Sequence, residues 1–74
     1  MNEVTFRVAY EKLHEIPPVL HALDARVAMD WATRMTGVDC TKLSWWDEEW
    51  SMHRCYRFEF AGPVGEAFGK LGLG

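Results

Sequence analysis

Apolar and polar residues alternate at the start of the chain. Val4, Phe6, Val8 and Tyr10 are interleaved with Glu3, Thr5, Arg7 and Ala9, the period of two expected of a strand with one face on a core. A first strand is predicted over residues 3–10. The charged stretch Glu11–Glu15 reads as a loop. Ile16 then precedes Pro17 and Pro18, whose fixed φ suits the entry to a helix. From there the period changes. Leu20, Leu23, Val27, Trp31 and Met35 recur at intervals of three and four, which gathers them into one stripe on a helix. The spacing predicts a helix over residues 18–36 whose stripe faces the sheet. Met29 and His21 fall on the opposite face among alanines, a small apolar surface that could pack on a partner. Asp30 and Arg34 sit in the favourable i,i+4 order, and Gly37 can take the left-handed position that ends a helix.

Beyond a connection at residues 38–42, Leu43–Trp50 and Met52–Phe60 are rich in aromatics and poor in helix formers, and two strands are predicted. Asp47, Glu48 and Glu49 mark the bend between them. No Asn-Gly or Asp-Gly pair is present to fix a tight hairpin, so the register is open. Tyr56, Phe58 and Phe60 should point one way, and Cys55, Arg57 and Glu59 the other. Five of the six glycines lie after residue 61. Val64, Ala67, Phe68 and Leu71 nevertheless keep helical spacing, which predicts a short turn that docks Phe68, followed by a loose tail over 69–74. The expected fold is α+β: a three-stranded, mostly antiparallel sheet in βαββ order, one long helix packed on one face, and a short C-terminal helical turn.

Length and composition narrow this further. Seventy-four residues support one domain, 1–74, and a chain this short buries only about 60% of its unfolded surface. Four Trp, four Phe and two Tyr supply large core side chains in place of a disulfide framework. The first twenty residues lack the apolar h-region of a secretory signal, and no apolar run approaches the roughly 20 residues needed to span a bilayer. A cytoplasmic protein with reduced thiols and no membrane partner is expected. The net charge of −3 favours basic partners over nucleic acid.

No constellation of residues points to catalysis. His53 and Cys55, two apart on one strand face, together with Cys40 and His14 could supply four zinc ligands, but there is no Cys-x-x-Cys or His-x-x-x-His pair. Cys55 beside His53 is the one local nucleophile and base, and strand neighbours two apart are too distant for direct proton transfer without a bend. The adjacent acids 47–49 should be solvated, and no glycine-rich loop ends in the Lys-Ser or Lys-Thr of a phosphate site. No catalytic residue, metal or cofactor is therefore expected. Tyr56, Phe58 and Phe60 beside Arg54 and Arg57 could stack single-stranded nucleic acid, yet the same alternation describes a core strand, and direct nucleic-acid binding is not expected.

The most unusual segment is Trp45, Trp46, Asp47, Glu48, Glu49 and Trp50, three indoles and three acids in succession. Alternation sends Trp45 and Trp46 to opposite faces, so a sheet covered by one helix must leave an indole open or at an edge. Trp is enriched at binding hot spots, and acids steer basic partners. These six residues are the candidate partner-binding site. In general character, as a small acidic chain dense in tryptophan and without a catalytic motif, the sequence resembles the small bacteriophage proteins that disable host machinery. Within that group it is most similar to the transcription regulators that bind bacterial RNA polymerase, and next to anti-CRISPR proteins. The resemblance implies a protein-binding inhibitor acting in the host cytoplasm, with RNA polymerase as the first partner. Mimicry of nucleic acid by an acidic face, single-strand binding, and a small zinc or thiol enzyme stand as alternatives.

Overall fold

The computed structural model describes residues 2–21 and 24–71. It contains β1 (Glu3–Ala9), a 3-10 helix (Tyr10–Glu15), α1 (Pro18–His21), α2 (Ala25–Thr36), β2 (Cys40–Glu48), a 3-10 turn (Glu49–Ser51), β3 (His53–Phe60) and a C-terminal 3-10 helix (Gly65–Leu71). The three strands form one antiparallel sheet in the order β1-β3-β2. The α+β class and the βαββ order are as expected.

Register determines what each face carries. Val4 pairs with Phe58 and Phe6 with Tyr56 across β1 and β3, while Leu43 pairs with Phe58 and Trp45 with Tyr56 across β2 and β3. These residues make the covered face. Cys40 pairs with Phe60 and Lys42 with Glu59, leaving Thr41 as an inserted residue. Such a bulge resets the alternation of side chains, which is how Cys40 and Leu43, three apart, both reach the core. Phe58 lies at the centre, completely buried. Its ring centroid is 6.0 Å from Phe6, 6.3 Å from both Phe60 and Phe68, and 6.4 Å from Trp31.

The predicted long helix is divided. Asp24 has an extended backbone, and its Oδ1 accepts hydrogen bonds from the N–H groups of Arg26 at 3.0 Å and Val27 at 3.4 Å. It is an N-cap, so α2 begins at Ala25 and α1 is a separate turn. Leu23, placed in the predicted stripe, lies outside the described residues. Gly37 ends α2 in the left-handed conformation, as its position suggested. The Asp30–Arg34 pair is present at 3.3 Å.

The buried side of α2 also differs from the prediction. Ala28 and Ala32 face the sheet, whereas Val27 and Met35 are 49% and 40% exposed. Met29, expected on the outer face, packs against the core, and Trp31 lies partly buried beside it. The physical reason is volume. Aromatic rings from β3 and Trp31 already fill the space between the layers, so only methyl groups fit where the helix approaches most closely. His21 is exposed.

Smaller differences have local causes. Tyr10 leaves the strand pattern for the 3-10 helix of residues 10–15, which replaces the predicted loop, and its N–H donates to the Met52 carbonyl at 2.9 Å. Strand β2 starts at Cys40 inside the expected connection, where the Cys40 N–H donates to Thr33 Oγ1 at 2.9 Å. Phe68 docks as predicted, 6.2 Å from Phe6. Of the loose tail expected over 69–74, residues 69–71 instead complete the C-terminal 3-10 helix, with Leu71 buried in the core, and 72–74 lie outside the described residues. No helix of the described residues is long and apolar enough to cross a membrane.

Candidate functional site

The acidic bend predicted at residues 47–49 is shifted toward the C-terminus. Asp47 and Glu48 are still strand residues, and the chain reverses through Glu49–Ser51 and Met52. Met52 takes φ 57° and ψ 45°, the sole non-glycine residue at positive φ among those described. A type I-like turn closed by a left-handed residue is a standard hairpin loop, but glycine or asparagine normally fills that position.

This register separates the six candidate residues. Trp45 packs against the core. Trp46 pairs with Cys55 on the uncovered face, partly buried, with the Arg57 guanidinium 5.4 Å from the centre of its ring. Asp47 pairs with Arg54, whose Nε donates to Oδ1 at 2.8 Å. That bond holds the Asp47 carboxyl below its usual range, against the opposing effect of partial desolvation. Glu48 reaches across the central strand to Arg7 at 2.8 Å. Asp47 is exposed on the strand despite its arginine, Glu49 and Trp50 are exposed at the turn, and Trp50 is 84% accessible.

The uncovered face therefore neutralises itself. Arg7–Glu48, Lys42–Glu59 at 4.0 Å and Arg57–Glu3 at 3.5 Å join its three cations to its three acids. Cys55 is fully buried between these groups. Burial raises its thiol pKa above the ordinary value, with the Glu48 charge adding to the shift. Cys40 is raised chiefly by burial as well, on the covered face of the sheet. The two thiols thus lie on opposite sides of the sheet and cannot share a metal. Among the described residues no group of three or more His, Cys, Asp or Glu is close enough to hold an ion. Tyr56, Phe58 and Phe60 are buried in the core, so they present no stacking platform for bases. Asp47 and Glu48, each neutralised by an arginine, offer no phosphate-like row.

What protrudes is the end of the hairpin. Trp50 and Met52, the latter 63% exposed, stand beside a cavity of about 240 Å³ lined by Ala9, Tyr10, Glu11, Ser51, Met52 and His53. The Arg7 Nη2 group donates to Ser51 Oγ at 3.2 Å, and that hydroxyl donates to the Glu48 carbonyl at 3.1 Å. The turn is thereby anchored to both outer strands. His53 Nδ1 lies 2.7 Å from the Ser51 carbonyl; a carbonyl only accepts, so Nδ1 carries a proton there. The Tyr10 phenol is raised in pKa, first by desolvation and then by the charges of Asp47 and Glu49, with Arg54 opposing. Sequence reasoning missed Tyr10, Glu11, Met52 and His53 as members of this site. The signal that could have found Met52 is the absence of glycine from a necessary reversal.

Comparison with known protein families, with characterised proteins and with solved structures finds no match for this chain.

Proposed function

We propose that the protein is a small protein-binding regulator that docks on a larger partner through the end of its β2–β3 hairpin. The observation that carries this reading is Trp50, a tryptophan 84% exposed on a turn braced from both sides. An indole left in water contributes almost nothing to the fold, and the same ring buried in a partner's pocket can dominate an interface. Met52 supports it. A non-glycine residue held in the left-handed region costs of order 1–3 kcal/mol, and such strain clusters at functional sites. The resemblance in character to small phage transcription regulators makes bacterial RNA polymerase the first partner to test, with inhibition or redirection of transcription as the outcome.

The test is binding of the immobilised protein to purified bacterial RNA polymerase holoenzyme, alongside affinity purification from a bacterial lysate read by mass spectrometry. Trp50→Ala should weaken capture about 30- to 700-fold, the equivalent of a 2–4 kcal/mol hot spot, while the variant stays folded. Failure of the wild-type protein to bind polymerase would remove that partner. A lysate profile identical for wild type and Trp50→Ala would remove the docking site itself.

A further inference from the structure

The cavity beside Trp50 has walls of a particular chemistry. Its volume is about 240 Å³. That is below the roughly 300–1,000 Å³ of small-molecule sites, and it suits one long side chain. Ala9, the Tyr10 ring and Met52 offer apolar and aromatic surface. The polar groups that could bond a guest are mainly acceptors. The Glu11 carboxylate makes no ion pair among the described residues, and in the tautomer with its proton on Nδ1 the His53 ring offers Nε2 as an acceptor. Two nearby donors are occupied, the Tyr10 N–H by the Met52 carbonyl and the Ser51 hydroxyl by the Glu48 carbonyl, and the Tyr10 phenol can both donate and accept.

We propose that this cavity receives a single arginine side chain from the partner. Arginine carries five N–H donors and no acceptor, which complements the unpaired Glu11 carboxylate, with the Tyr10 hydroxyl oxygen able to accept as well. Its methylene stem can lie along Ala9 and Met52 as long cationic side chains do on apolar surface. Its guanidinium can meet the Glu11 carboxylate while lying over the Tyr10 ring. Electrostatics favours the cation again, because Glu49 is exposed without an ion-pair partner on the same turn. The same charges oppose a second copy of this chain, which would bring Glu11 and Glu49 against their counterparts. Anionic lipid or nucleic acid is opposed for the same reason. The hairpin end then engages in both directions, with Trp50 entering the partner and an arginine of the partner entering the cavity. The identity of the arginine's bearer rests on the docking function proposed above; the chemistry of the cavity does not.

The experiment is a titration of the full-length, ¹⁵N-labelled protein with N-acetyl-arginine amide, followed by NMR, with N-acetyl-citrulline amide as the neutral isostere. Arginine should shift the amides of Ala9, Tyr10, Glu11, Ser51, Met52 and His53 and saturate with a Kd on the order of 1–10 mM. Citrulline should bind about tenfold more weakly, having lost both the ion pair and the cation–π contact. Glu11→Gln should weaken arginine about three- to fivefold, and Glu15→Gln, on the same 3-10 helix, should change nothing. Equal binding of citrulline, an unaltered titration in Glu11→Gln, or no shift at these residues overturns the proposal. If arginine fails while partner capture still depends on Trp50, the cavity assignment falls and the docking function stands. If arginine binds while Trp50→Ala captures everything the wild type does, the reverse holds.

Discussion

Replacing Ala32 by leucine and, separately, Val27 by alanine distinguishes two orientations of the same helix. With Ala32 completely buried against the sheet, three added carbons have no space to enter. Overpacking of this kind costs about 1–3 kcal/mol. Val27 is 49% exposed, so truncation loses about half of the roughly 1.5 kcal/mol of a fully buried valine. Alanine's better helix propensity, worth about 0.5 kcal/mol, offsets most of that. The expected net change for Val27→Ala is within about 0.5 kcal/mol of zero. A domain of this size has about 4–11 kcal/mol of stability in all, at roughly 0.05–0.15 kcal/mol per residue. Since 1 kcal/mol moves the melting temperature by about 4–8 °C in a domain this small, Ala32→Leu should lower it by about 4–24 °C and Val27→Ala by less than about 4 °C. Circular dichroism melts combined with urea titration read both. Had α2 turned Val27 and Met35 to the sheet in place of Ala28 and Ala32, the order would invert. A loss above about 1.5 kcal/mol for Val27→Ala with a neutral Ala32→Leu would refute the packing described here.

Four further outcomes are expected. Asp24→Ala should cost about 1 kcal/mol in chemical denaturation through loss of the α2 cap, and no loss would return the helix to a continuous 18–36. Tyr56→Phe should leave stability unchanged or raise it by up to about 1 kcal/mol, because the buried Tyr56 hydroxyl has no partner at hydrogen-bonding geometry, although the Arg54 guanidinium lies close by; a loss above about 1 kcal/mol would show that Arg54 bonds it. Asp47, with its carboxyl pKa lowered by Arg54, contributes stability that is complete above the ordinary carboxylate value and is lost as pH falls through the depressed one. Asp47→Asn should therefore flatten the acid limb of the pH–stability curve, and an unchanged acid limb would contradict the pairing. Cys40 and Cys55, both buried with raised pKa, should react with a thiol reagent at neutral pH only as fast as the protein unfolds. Rapid labelling of either in the folded state would count against the burial of that thiol.

The strands were legible because alternation over Val4–Val8 and Tyr56–Phe60 reports burial directly. The position of α2 was not, because hydropathy ranks valine and methionine above alanine, while close approach to a layer already filled by aromatic rings selects the smaller side chain. Asp24 was hidden for a related reason: an aspartate within a run of helix formers looks like a surface residue until its backbone is seen to be extended. The candidate site was legible as a segment and not as an arrangement. Three tryptophans close in sequence are equivalent on paper, and only the pairing of Trp45 with Tyr56, Trp46 with Cys55 and Asp47 with Arg54 separates a core ring, a ring beneath a guanidinium and an exposed one. That register depends on a bulge at Thr41 and a left-handed methionine, neither of which a hydrophobic pattern encodes. The acids read as a charge patch because their arginine partners lie on other strands.

The strand order β1-β3-β2 has a consequence for how the chain is made. The central strand is the last in sequence, and Glu3 of the first strand finds its place opposite Glu59. The β2–β3 hairpin can close locally, but β1 must wait until β3 has been synthesised, because among the described residues β3 is the strand it pairs with. Throughout that interval Val4, Phe6 and Val8 have neither strand partner nor core. A nascent chain halted before residue 53 would hold an amphipathic strand and a helix with no sheet to join, and would offer an apolar surface to chaperones and proteases. The hairpin that carries Trp50 is thus also the element whose closure admits the N-terminus to the fold, so its turn governs both when the protein becomes compact and what it presents once it has.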